Sequence, residues 1–111
     1  MAYITVEDFL RKAATCSRLS RQDEREAAAA MAMGDAGARD RLLQSYLPMV
    51  AGHIKGCKPH LQSLELVYAC LQALETAVDS FNFLQESETF THRLSWWLRQ
   101  TTVEYIANRS S

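Results

Sequence analysis

Breakers are scarce in this chain: two prolines and four glycines serve 111 residues, and runs of β-branched residues are missing. Strand-rich folds draw on both, the breakers for tight turns and the branched residues for pleated faces, so these shortages point to helices. Cysteine is equally sparse. Cys16, Cys57 and Cys70 form an odd set without framework spacing, which excludes a disulfide scaffold and fits reduced thiols. No apolar run reaches bilayer length, and residues 1–8 carry neither the basic start nor the apolar stretch of a signal peptide, so a cytosolic protein is expected. Nor does one sign of charge prevail. Twelve Lys and Arg against thirteen Asp and Glu leave a net charge of -1, so any contact with nucleic acid has to come from a local patch.

What is present is apolar residues recurring at three- and four-residue spacing. With 48% hydrophobic residues the chain can bury roughly two thirds of its unfolded surface around a single core, and residues 1–111 are read as one domain. Thr5 and Asp8 form a capping-box pattern ahead of a first helix reaching about Cys16, with Val6, Phe9, Leu10 and Ala13 on one face. Ser20 with Asp23 opens a second helix through residues 27–33, and Gly34 supplies the left-handed turn that ends it. Asp35 caps a third, whose Leu42, Leu43, Tyr46, Leu47, Val50 and Ile54 make a broad apolar stripe, with Pro48 expected to kink or split it. After a loop at residues 56–60, Ser63 caps a fourth helix running to about Phe81, with Leu64, Val67, Leu71, Leu74 and Val78 at core spacing. Residues 82–89 read as a polar, slightly acidic loop before a final helix over residues 90–107. The expected fold is all-α, a compact bundle of about five helices: an N-terminal helix within residues 1–18 and a helical domain over residues 19–109.

Catalytic patterns are missing from this scaffold. There is no glycine-rich phosphate loop, no metalloprotease His pair and no Ser-His-acid grouping at useful spacing. His53, Cys57 and His60 stand close enough in sequence to suggest a metal, but lack an obvious fourth ligand. No enzyme, metal, cofactor, small-molecule substrate or membrane partner is expected.

The informative segment is the last helix. Phe90, Leu94, Trp97, Leu98, Thr101 and Tyr105 follow a stripe that can be buried, while Arg93, Trp96 and Gln100 line a neighbouring face beside Arg99. Adjacent tryptophans cannot both point inward. An open indole among guanidiniums and a carboxamide suits nucleic acid, since the ring stacks on unpaired bases while Arg and Gln reach phosphates or base edges.

The run Ser95-Trp96-Trp97-Leu98-Arg99-Gln100 resembles the Trp-Trp-Ile-Arg-Gln signature of the sigma-seventy family of bacterial RNA polymerase sigma factors. Leu19-Ser20-Arg21, Gly34-Asp35, Ala38-Arg39-Asp40-Arg41-Leu42 and Leu47-Pro48-Met49-Val50 are similar to that family's earlier conserved helices, in the same order, so the likeness spans roughly residues 19–107. It implies region 2 of such a factor, a bacterial cytoplasmic domain for transcription initiation that binds core RNA polymerase and the promoter's minus-ten DNA. The DNA contacts it implies fall on Arg93, Trp96, Trp97, Arg99 and Gln100, and the remaining polymerase contacts on Glu65, Gln72 and Glu75.

Three departures accompany the likeness. Arg93 stands where the family carries an aromatic that stacks on a flipped adenine, and a cation does not reproduce a neutral ring. The acidic-Leu-x-Gln-acidic-Gly stretch of the fourth helix reads Glu65-Leu66-Val67-Tyr68-Ala69-Cys70 here, and the family's basic loop has become acidic at Glu86 and Glu88. These changes admit a second reading, a sigma-like protein-interaction or regulatory module without DNA melting, with self-association among its partners.

Overall fold

The helices begin where short polar side chains can take up the first unpaired backbone amides. In this computed structural model, which describes residues 3–84 and 89–110, helix α1 (Val6–Ala14) is preceded by Thr5, whose hydroxyl accepts from the Asp8 amide while the Asp8 carboxylate accepts from the Thr5 amide. Ser20 caps α2 (Arg21–Ala32), Asp35 caps α3 (Ala36–Ser45) and Ser63 caps α5 (Leu64–Ser80), each accepting from the amide three residues on. Gly34, at φ +94°, makes the left-handed turn between α2 and α3. Pro48 splits the expected third helix: α3 stops at Tyr46 and α4 (Leu47–Gly56) starts with proline in its first turn, where a missing amide proton costs nothing. A short 3-10 turn (Pro59–Leu61) leads into α5, and α6 (Phe90–Ser110) closes the chain. The architecture is all-α, five expected helices with the third broken in two, and no strand occurs among the described residues.

One contiguous core draws on every helix: Phe9 and Ala13 from α1, Ala27 and Ala28 from α2, Leu42 and Leu43 from α3, Leu47, Val50 and Ile54 from α4, Leu66, Val67 and Leu74 from α5, and Phe90, Leu94 and Leu98 from α6. Two expectations need correction. The buried face of α5 is rotated from the stripe read in sequence, since Leu66, Val67, Cys70, Ala73, Leu74, Ala77 and Val78 are buried while Leu64 and Leu71 are only half-buried. Ala73, Ala77 and Cys70 are small enough for neighbouring helices to approach closely there, and tertiary contact decides the face. Helix α6 also runs past residue 107 to Ser110, where no glycine or proline stops it.

Tyr46 ties distant segments together. It is buried, its hydroxyl donates to the Glu24 carboxylate of α2, and its ring packs on Phe90 with centroids 4.6 Å apart. The Arg18 guanidinium lies 4.4 Å from the ring centroid and donates to the same hydroxyl at 3.2 Å. Burial and the neighbouring Glu24 carboxylate both raise the Tyr46 pKa, so the phenol stays protonated and remains the donor. Tyr46→Phe is expected to lower stability by about 1–2 kcal/mol, because Glu24 loses its donor without any gain in packing. A urea unfolding series that gives the same midpoint for both chains would contradict this role.

Candidate nucleic-acid interface

Helix α6 is set in place by its first three turns. Thr89 receives the His92 amide on its hydroxyl, and Phe90 then enters an aromatic cluster with Phe81 and Phe83 at centroid distances of 5.3 and 4.9 Å. Leu94 and Leu98 follow at four-residue steps, fully buried. Since each residue advances about 100° around the axis, Trp96 points about 160° away from Leu98, and its side chain is 44% exposed. Trp97 is half-buried against the core and meets Trp96 edge-on, with ring centroids 5.3 Å apart and planes at 84°. That contact braces the outer indole, a geometry worth about 0.5–1.5 kcal/mol beyond area burial.

Arg93, one turn before Trp96, and Arg99 and Gln100, one turn after it, are all exposed. The five sequence-derived residues are thus brought together on α6, four of them open to solvent and Trp97 supporting from beneath. The patch presents an aromatic face, two guanidiniums and a carboxamide, which can stack, neutralise phosphate and read a base edge.

The C-terminal half of α6 is fastened by polar contacts. Thr102 donates its hydroxyl proton to the Leu98 carbonyl at 2.9 Å, so at the 2.7 Å contact between His53 Nε2 and Thr102 Oγ1 the imidazole is the donor. Further on, Tyr105 shares a 2.6 Å hydrogen bond with Ser63, the cap of α5, and accepts from Arg109 at 2.8 Å.

The expected polymerase residues sit on the outer face of α5. Glu65, Gln72 and Glu75 are all exposed, but only Gln72 and Glu75 line a common groove of about 380 Å³, with Leu43, Leu47, Tyr68, Leu71 and Leu74. Glu65 lies outside it, one turn before Tyr68. Tyr68 was missed as a candidate contact, although its place three residues after Glu65 and four before Gln72 puts it on the same stripe. Its hydroxyl accepts from the Tyr3 amide at 2.6 Å and donates to the Tyr3 carbonyl at 3.1 Å, which joins the start of the chain to the groove's edge. Of the acidic loop expected at residues 82–89, residues 82–84 and 89 are non-helical, and residues 85–88, with Glu86 and Glu88, lie outside the described residues.

The metal-like trio is dispersed in use. His53 bonds Thr102, the Cys57 thiol donates to the His53 carbonyl at 3.4 Å and His60 is exposed. Among the described residues no group of three His, Cys, Asp or Glu is placed to hold a metal ion. Burial pushes the Cys70 thiol up to about 12, which keeps it protonated and unreactive. No helix of the described residues is long and apolar enough to cross a membrane. No protein-family model matches the chain.

Burial lowers the His53 pKa below its ordinary value. A depressed histidine is neutral in the fold and binds a proton more readily when unfolded, so its stabilising effect is present above about pH 6.5 and is lost as the pH falls toward the folded-state value. The melting temperature is expected to fall between about pH 7 and pH 5, and His53→Gln to flatten that slope. Parallel melting curves against pH for the two chains would count against the assignment.

Proposed function

We propose that this chain is a transcription-initiation domain of the sigma-seventy region 2 type, acting in the bacterial cytoplasm by binding core RNA polymerase and melted minus-ten promoter DNA. The observation that carries the reading is the half-exposed indole of Trp96, flanked on one helix by Arg93, Arg99 and Gln100. Stacking of an unpaired base on such a ring contributes about 1–3 kcal/mol, the scale needed to offset unstacking a base from duplex. Arg99 would neutralise backbone phosphate and Gln100 would meet the edge of an upstream base pair. Arg93, in place of the family's aromatic, would hold phosphate or stack as a planar cation rather than enclose a flipped adenine. The work is binding-driven and uses no covalent step, metal or cofactor. Core polymerase would engage the groove beside Gln72 and Glu75, with Glu65 at its margin.

A second reading, a sigma-like module for protein partners, is favoured by one specific observation. Val103 and Ile106, further along the same helix, are 60% and 40% exposed, and apolar side chains of that size suit protein better than phosphate.

The test is fluorescence anisotropy with a labelled single-stranded minus-ten oligonucleotide and nanomolar protein. Trp96→Ala is expected to weaken binding about 5- to 150-fold. Arg99→Gln should reduce the slope of log K against log salt by about 0.7, the value for one phosphate contact on a single strand. Equal affinity of Trp96→Ala and the unaltered chain would remove the nucleic-acid role of this face.

A further inference from the structure

The Tyr68 side chain serves two parts of the fold at once. It lines the groove between α3 and α5, alongside Leu43, Leu47, Leu71 and Leu74, and it is 38% exposed. Its hydroxyl is engaged by a residue that is not among the groove's walls. Tyr68 Oη accepts from the Tyr3 amide at 2.6 Å and donates to the Tyr3 carbonyl at 3.1 Å, so both backbone polar groups of one residue close on a single phenol oxygen.

Tyr3 is itself anchored. Its ring meets Phe9, fully buried in α1, edge-on at a centroid distance of 5.3 Å, and lies 6.5 Å from the ring of Tyr68. Two residues further on, Thr5 caps α1, which packs on α4 and α5. Ile4, between them, is 86% exposed, so the segment is fastened at Tyr3 and at the cap of α1.

We infer that Tyr3 is a positioning residue for the groove: its backbone, closed on Tyr68 Oη, holds the Tyr68 ring in place as a wall before a partner arrives. The inference rests on the reading of this groove as the polymerase-docking face and adds to it a residue 65 positions away in sequence. A ring already held loses little rotamer freedom on docking. A released ring has to be ordered by the partner, which lowers affinity about 2- to 10-fold for one such side chain. By linkage, a partner seated against the held ring favours the closed contact by the same factor.

The contact is read first in the free full-length chain, by hydrogen exchange of the Tyr3 amide followed by nuclear magnetic resonance, and then by titration with core RNA polymerase. Tyr68→Phe keeps the ring and removes both hydrogen bonds, so the Tyr3 amide should exchange about 5- to 10-fold faster while the amides of α5 keep their rates. Polymerase affinity should fall about 2- to 10-fold in Tyr68→Phe, and it should also fall in Tyr3→Ala, which loses the Phe9 contact and leaves Tyr68 whole. The double variant should bind no more weakly than Tyr68→Phe alone, because Tyr3 acts only through that ring. Equal exchange of the Tyr3 amide with and without the phenol hydroxyl overturns the inference. So does an affinity loss confined to Tyr68→Phe, which would put the hydroxyl on the partner directly, and so do losses that add in the double variant. Unchanged affinity in both single variants also overturns it and leaves the docking reading intact. If the unaltered chain does not bind core polymerase at all, the docking reading fails, and the positioning role falls with it.

Discussion

Phe90, Leu94 and Leu98 are sealed on one face of α6, and the fixed rotation of a helix turns that burial into an orientation for everything else on the segment. Once those three rings and branches face the core, Trp97 is carried to its edge and Trp96 beyond it. The outer patch is therefore a by-product of packing on the inner face. Its members need no mutual attraction to be gathered, and they are presented on a rigid element, which lowers the ordering cost of binding.

The inner face holds because Phe90 has a buried partner from each side. Phe81 and Phe83 close over it from the end of α5, and Tyr46 supports it from the break between α3 and α4. Tyr46 in turn is held by Glu24 and Arg18, so α2 and the segment before it are coupled to the origin of α6 through one side chain. At the other end His53 and Ser63 fasten Thr102 and Tyr105. Polar ties of this kind add specificity to a core that is otherwise aliphatic, because a shifted helix would leave them unpaired.

Legibility in the sequence followed range. Thr5, Ser20, Asp35 and Ser63 act on amides three residues away, so their caps could be read directly, and Pro48 breaks its helix by chemistry internal to one residue. The stripe from Leu42 to Ile54 was equally clear because it is apolar on one side only. Helix α5 was harder, since alanine and cysteine give weak signals and their burial depends on which neighbour comes close. The Tyr46 network joins residues 22 and 28 positions apart, a relation no local pattern encodes. On α6 the buried stripe and the cationic patch were both visible, because each repeats at helical spacing within one segment. The pairing of Gln72 with Tyr68 and Glu75 around one groove also needed the α3 and α4 walls that complete it.

The proposed function rests on the exposed ring of Trp96, carried by a helix whose opposite face is buried. The most direct measurement is the fluorescence of Trp96 as the sole indole, in a Trp97→Phe chain titrated with single-stranded minus-ten DNA at nanomolar protein. The account predicts saturable quenching that weakens with added salt, as a base stacks on the ring and phosphates meet the flanking cations. Emission that stays constant while a labelled oligonucleotide binds the same chain would place the DNA elsewhere and contradict it.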